Sequence, residues 1–292
     1  MAGIALISPP PCEAQATSLN VTATILPFGD IAKRVGGDAV NVTVMLKPGQ
    51  SPHTYEPTPG DLKSLGKADL VVMAGFGLES WLSKLLKTSG RQTLYVDCSK
   101  VVKNPISSEE EGHHEGEEDH HHGAVNPHYW LDPSIMADVA RHIGVKLAEK
   151  MPSRKKEFIS QAEVVANELL NLDKEIEKKL SDKNLTRGFV SFHNAWPYFA
   201  RRYGLKVAGV IEMAPGREPS AKHMTRLVKE IKQKGVKAVM VEPQFPTRLG
   251  EVLAEEAGVK VVAVDPEGGS RKTGGYIELM RFNAAMFEKA LR

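Results

Sequence analysis

Apolar positions along this chain follow two rhythms. Continuous β-branched runs at residues 21–26, 42–46 and 70–73 have the pattern of strands buried on both faces. Between them, residues 30–35, 61–66 and 79–86 carry apolar positions at helical spacing, and Gly36-Gly37 stops the first of these helices. A strand at 93–96 completes a βαβα rhythm, which predicts a mainly parallel sheet covered by helices. Residues 134–150 form the next predicted helix, with Pro133 suited to its first turn.

The longest periodic element lies at mid-chain. Phe158, Ala162, Val165, Leu169, Leu172, Ile176 and Leu180 recur at spacings of three and four with charged residues between them, predicting one amphipathic helix over residues 153–183. A two-chain coiled coil would use the same pattern, but about three heptads of stripe suit a helix packed along its own domains. A second βαβ set follows, with strands at 188–192, 207–211, 238–241 and 260–264. Its helices are expected at 194–202, 220–234, 247–257 and 276–291. The pattern therefore predicts an α/β fold of two lobes, each a mainly parallel sheet flanked by helices, joined by one long backbone helix. The expected boundaries are 17–152 for the first lobe, 153–183 for the linking helix and 184–292 for the second lobe.

Composition narrows the class. A length of 292 residues allows two lobes that each bury a core, and 41% hydrophobic with 25% charged residues is ordinary for a globular protein. A formal charge of +2 gives no reason to expect nucleic acid, and no stretch reaches the roughly 20 apolar residues of a membrane helix. Residues 1–16 read as the remnant of a secretory signal: an apolar stub, Ile4-Ala5-Leu6-Ile7, then Ala14-Gln15-Ala16 before Thr17. Export is the expectation. Cys12 offers a lipid-anchor position, which Pro11 directly before it disfavours. Cys12 and Cys98 make neither a disulfide framework nor a cysteine-rich zinc site, so any metal must be held by nitrogen and oxygen.

The candidate chemistry is imidazole. Half of the ten histidines fall in an acidic run, His113, His114, His120, His121 and His122, inside a loop placed at 107–125 that reads as a loose metal collector. The remaining signals are positional. His53 lies in a proline-rich loop just past a predicted strand, and His193, Glu242 and Asp265 follow the ends of three strands of the second lobe. In open α/β sheets the crevice beyond strand carboxyl ends is where ligands bind. His128 sits between Pro127 and two aromatic residues, a partly buried position. Three imidazoles and one carboxylate, His53, His128, His193 and Asp265, complete a four-coordinate nitrogen and oxygen set for zinc. Glu242 divides evenly between orienting a ligand imidazole and capping the following helix. His142 and His223 read as solvated helix positions, and Trp130 and Trp196 as walls of the cleft.

These residues carry a resemblance. The segments His53-Thr54-Tyr55-Glu56-Pro57-Thr58-Pro59, Gly75-Phe76-Gly77-Leu78-Glu79-Ser80-Trp81, Asn126-Pro127-His128-Tyr129-Trp130-Leu131-Asp132-Pro133, Phe192-His193-Asn194-Ala195-Trp196, Pro215-Gly216-Arg217-Glu218-Pro219-Ser220, Glu242-Pro243-Gln244-Phe245 and Asp265-Pro266 resemble the metal-binding solute receptors of ABC importers, the cluster A-I group with its ZnuA-type zinc receptors. The resemblance runs from about Val21 to the C-terminus. It implies a secreted, monomeric, non-enzymatic receptor that holds Zn(II) between its lobes through His53, His128, His193 and Asp265 and delivers it to an ABC permease. It also implies a periplasmic location or one at the outer face of the cytoplasmic membrane, and a backbone helix that limits lobe closure. Manganese receptors commonly place glutamate at the third ligand position; His193 favours zinc, with Mn(II) as the alternative. A metal-dependent adhesin is the alternative within the family. A zinc hydrolase ranks lower, because neither a His-Glu-x-x-His helix nor a Gly-x-Ser-x-Gly elbow occurs.

Overall fold

A computed structural model describes residues 18–89, 95–108, 125–213, 216–269 and 274–292. The expectations for the signal remnant, for Cys12 and for the acidic histidine run lie outside these residues.

The first lobe contains β1 (Leu19–Ala23), α1 (Leu26–Gly36), β2 (Val40–Val44), α2 (Pro59–Lys67), β3 (Leu70–Met73), α3 (Ser80–Ser89) and β4 (Tyr95–Asp97). Two helices follow, α4 (Pro133–Lys150) and α5 (Lys155–Leu180). The second lobe contains β5 (Gly188–His193), α6 (Pro197–Tyr203), β6 (Lys206–Glu212), α7 (Ala221–Lys234), β7 (Ala238–Val241), α8 (Arg248–Ala257), β8 (Lys260–Ala263) and α9 (Tyr276–Leu291). Each sheet has four parallel strands, in the orders β2-β1-β3-β4 and β6-β5-β7-β8. The two orders are the same topology used twice. In each, the chain leaves the central strand toward one edge and returns to its other side, so a crevice opens at the carboxyl ends of β1 and β3, and of β5 and β7.

The expected two-lobe α/β architecture is what the chain adopts, with small shifts at element ends. Helix α5 occupies 155–180 within the expected 153–183, because Pro152 starts a separate 3-10 turn over Pro152–Arg154. Its predicted stripe, Phe158 through Leu180, is buried throughout. Asp173 interrupts that stripe and is buried too. Its carboxylate pairs with Arg202 of α6 and accepts from Tyr203 Oη at 3.2 Å. Gly144 lets α4 approach α5 closely; a Cβ there would stand 2.6 Å from Ala162 Cβ.

One apolar core runs from β1 through α4 and α5 to α9, and a smaller one lies between the second sheet and α7 and α8. Side chains also bridge the lobes. Trp130 Nε1 donates to Pro266 O at 2.8 Å, Tyr276 Oη donates to Trp130 O at 2.6 Å, and Ile106 N donates to Tyr198 Oη at 3.0 Å. Trp130 and Trp196 are therefore fully buried core residues that anchor the region under the cleft, not its walls. Among the described residues, no helix is long and apolar enough to cross a membrane.

Candidate metal centre

Local structure delivers each imidazole separately. His53 lies in the loop after β2. Trp81 of α3 holds that loop by donating from Nε1 to Pro52 O at 3.3 Å, and Tyr55 packs on the Trp81 ring at 5.0 Å. Asp61 steadies the following turn, accepting from Thr58 N at 2.6 Å and from Tyr55 Oη at 2.9 Å. His128 precedes a 3-10 turn over Tyr129–Leu131, whose three residues are all buried. His193 is the last residue of β5, at the switch point of the second sheet.

The three imidazoles meet. Their ligand atoms all lie within 4.8 Å of one another, with His53 Nε2 3.0 Å and His193 Nε2 3.3 Å from His128 Nε2. A tetrahedral zinc about 2.0–2.1 Å from each nitrogen would space the nitrogens by about 3.3 Å. His128 and His193 are each 3% exposed, while His53 is partly exposed toward the cleft. Burial, reinforced by neighbouring His193, pushes the His53 imidazole down to about 3. Burial, with His53 and His193 beside it, also pushes His128 well below the ordinary range. Both rings are therefore neutral at pH 7, the state in which imidazole ligates a metal.

On His193 and His128 the ring nitrogens facing away from the centre are engaged. His193 Nδ1 makes a short hydrogen bond with Glu242 Oε2, and Glu242 Oε1 accepts from Trp196 Nε1 at 2.9 Å. Glu242 is thus the carboxylate behind the His193 imidazole. Such a partner fixes the ring and raises its donor strength. Asp265 stands outside the three-histidine set: its Oδ1 accepts from Gln244 Nε2 at 2.9 Å, Glu267 N at 3.1 Å and Gly268 N at 2.9 Å. The turn it anchors places Glu267 in the interior, where burial and then Asp265, Glu242 and Glu79 push its carboxyl well above the usual range. Glu79 is buried at the switch point of the first sheet, accepting from Thr24 Oγ1 at 2.7 Å and Ala74 N at 2.7 Å, and burial pushes its carboxyl up as well. Burial thus favours the uncharged form of both acids.

Sequence reasoning singled out Glu242 but left its role open, and it did not single out Asn126, Gln244, Glu79 or Glu267. Asn126 had a readable signal: an Asn two residues before a histidine matches the side-chain turn in which Asn Oδ1 accepts a backbone N–H two positions on. Glu267 had none, since only packing makes it a buried acid. His223 is only partly exposed, and its ring is engaged within the protein. Its Nε2 bonds Val210 O at 2.8 Å and its Nδ1 accepts from Arg226 Nη2 at 2.7 Å. His142 is half-buried, and burial lowers its pKa.

Comparison with known proteins places this geometry. The model of a family described as zinc-uptake complex component A, periplasmic, matches residues 21–290. The zinc-binding lipoprotein AdcA of Streptococcus pneumoniae strain R6 is 32% identical over 272 residues, 91% of this chain and 54% of the relative. The chain thus spans about half the length of that relative. The high-affinity zinc uptake system protein ZnuA of Bacillus subtilis strain 168 is 30% identical over 288 residues, 96% of this chain and 89% of that protein. A crystal structure of ZnuA superposes with a TM-score of 0.82 at 29% identity, covering 94% of this chain and all of the other. Matched by sequence over nearly its whole length and by fold in both lobes, the chain belongs to the ZnuA family, the periplasmic component A of zinc-uptake complexes.

Proposed function

We propose that this chain is an extracytoplasmic receptor that captures Zn(II) between its lobes and hands it to an ABC permease. The observation that carries the reading is the convergence of His53, His128 and His193 from two lobes onto one point, with imidazole nitrogens at zinc-compatible spacing. Asp265 is the proposed fourth ligand, through the carboxylate oxygen that the Gln244, Glu267 and Gly268 contacts leave free for it. Three nitrogens and one oxygen favour zinc over manganese by ligand softness and by the Irving–Williams order. In this reading the protein performs no chemistry on its cargo and works as a monomer. Residues 17–152 and 184–292 act as the two jaws on the 153–183 spine.

Competitive titration of the metal-stripped protein with zinc and manganese tests this, alongside His193→Ala. One tight zinc equivalent, lost in the variant, is expected. Tight manganese binding that survives loss of His193 would move the chain to the manganese branch, and the absence of any tight metal would defeat the receptor reading.

A further inference from the structure

The amide of Asn126 lies beneath the histidine cluster and touches both lobes. The side chain is buried, 2% exposed. Its orientation follows from the groups around it. The backbone N–H of His128 can only donate, and it faces the Asn126 amide at 3.0 Å, so the atom there is Oδ1. The same oxygen lies 3.0 Å from His128 Nδ1. An oxygen can only accept, so the ring nitrogen that faces it carries a proton. That proton sits on Nδ1 and leaves Nε2, which faces His53 and His193, as the nitrogen for a metal.

The other end of the amide reaches the second lobe. Asn126 Nδ2 donates to Asn194 O at 2.8 Å, and Asn194 directly follows His193. The backbone at this position is gripped from both lobes too: Asn126 N donates to Ile106 O at 2.8 Å, and Asn126 O accepts from Tyr198 Oη at 3.0 Å. The orienting partner of His193 is the Glu242 carboxylate, whereas that of His128 is this neutral amide. The amide adds little to donor strength; its contribution is geometric.

We propose that Asn126 is a positioning residue that sets the tautomer of His128 and, through the same amide, registers it against His193 across the lobe boundary. The inference rests on the reading of the histidine cluster as the zinc site. It explains how two imidazoles from different lobes are held at a spacing of 3.3 Å.

Nitrogen-15 NMR of the metal-free wild type reads the tautomer directly: His128 should carry its proton on Nδ1, and an Nε2–H form would overturn the proposal whatever any variant does. Asn126→Leu removes both ends of the amide. It should lose the Nδ1–H pattern, weaken zinc binding by at least about 10-fold and alter the visible spectrum of the cobalt-substituted protein. Asn126→Asp keeps the acceptor for His128 and loses the donor to Asn194. It should retain the tautomer, recover part of the zinc affinity and still show a changed cobalt spectrum, because only the registration is lost. Tyr276→Phe cuts a different bond between the lobes and serves as the structural benchmark, lowering thermal stability with the cobalt spectrum unchanged. Wild-type zinc affinity and cobalt spectrum in Asn126→Leu would overturn the proposal, as would Asn126→Asp matching Asn126→Leu in tautomer and affinity. If Asn126→Leu fails to fold, the wild-type tautomer and Asn126→Asp decide. A wild type without tight zinc defeats the receptor reading itself, a result distinct from each of these.

Discussion

His193 and Glu242 show how one side chain can act through another. The carboxylate is buried, shares one oxygen with the imidazole and gives the other to Trp196. Glu242→Gln preserves an acceptor for Trp196 and removes the charge behind His193. Zinc affinity should fall about 10- to 100-fold with the fold retained, as read by competition against a chelating dye; unchanged affinity would leave Glu242 a purely structural residue. The imidazoles also link pH to stability. An unfolded histidine takes up its proton near pH 6.5, while folded His53 holds off until about 3. Between those values the unfolded chain binds more protons, so this contribution to metal-free stability falls as pH drops from about 6.5 toward about 3. Buried Glu79 and Glu267, whose carboxyls are raised, act with the opposite sign. The diagnostic is therefore a difference: the urea midpoint of the wild type should decline more steeply from pH 7 to 4 than that of His53→Gln. Parallel curves would contradict a His53 imidazole that the fold keeps neutral. The same depression bears on zinc binding, which proton competition for the imidazoles weakens as pH falls. For His53 and His128, proton competition is displaced to lower pH.

Among the elements, the α4 and α5 pair gives the molecule its spine. Their close approach depends on Gly144, where a Cβ would meet Ala162 Cβ at 2.6 Å and Phe158 O at 3.1 Å. Gly144→Ala should destabilise the protein by about 1–3 kcal/mol in urea unfolding, because a packed backbone carbonyl cannot yield as a flexible side chain would, while zinc affinity stays near wild type. An unchanged midpoint would show that the two helices separate at little cost. The open edge of the second sheet illustrates a different economy. Among the described residues strand β6 pairs only with β5, and two of its carbonyls are covered by α7: His223 bonds Val210 O, and Lys234 Nζ donates to Ala208 O at 3.1 Å. Covering edge groups with long side chains discourages pairing with another chain. Amphipathic spacing predicted α7 well, but it treated His223 as exposed because periodicity cannot see the strand beside a helix.

For the molecule as a whole, the described residues hold the complete three-histidine cluster, and the acidic run at 109–122 lies beyond them. An antiparallel bridge between Ser107 and Val125 closes the base of that segment. Deleting 109–122 should therefore spare the tight zinc equivalent and remove only weaker binding, as resolved by isothermal titration; loss of the tight equivalent would place a ligand in the deleted run. Several hydrogen bonds tie the lobes together. Trp130, Tyr276 and Tyr198 bond across the boundary, and Tyr276 N donates to Asp30 Oδ2 at 3.0 Å.

Sequence by itself determined the element order, the parallel sheets, the long helix and three imidazoles that converge, because burial periodicity and strand-end position are local properties written residue by residue. His53, His128 and His193 were legible for that reason. Only the tertiary structure decided which atoms face one another: that Glu242 backs His193, that Asn126 spans the lobes, that Glu79 and Glu267 are buried acids, and that the two tryptophans belong to the core. Those facts depend on contacts between residues as far apart as Trp130 and Pro266. Such contacts arise when separately patterned elements pack, and packing obeys shape, desolvation and hydrogen-bond satisfaction across the whole chain, which no local spacing encodes.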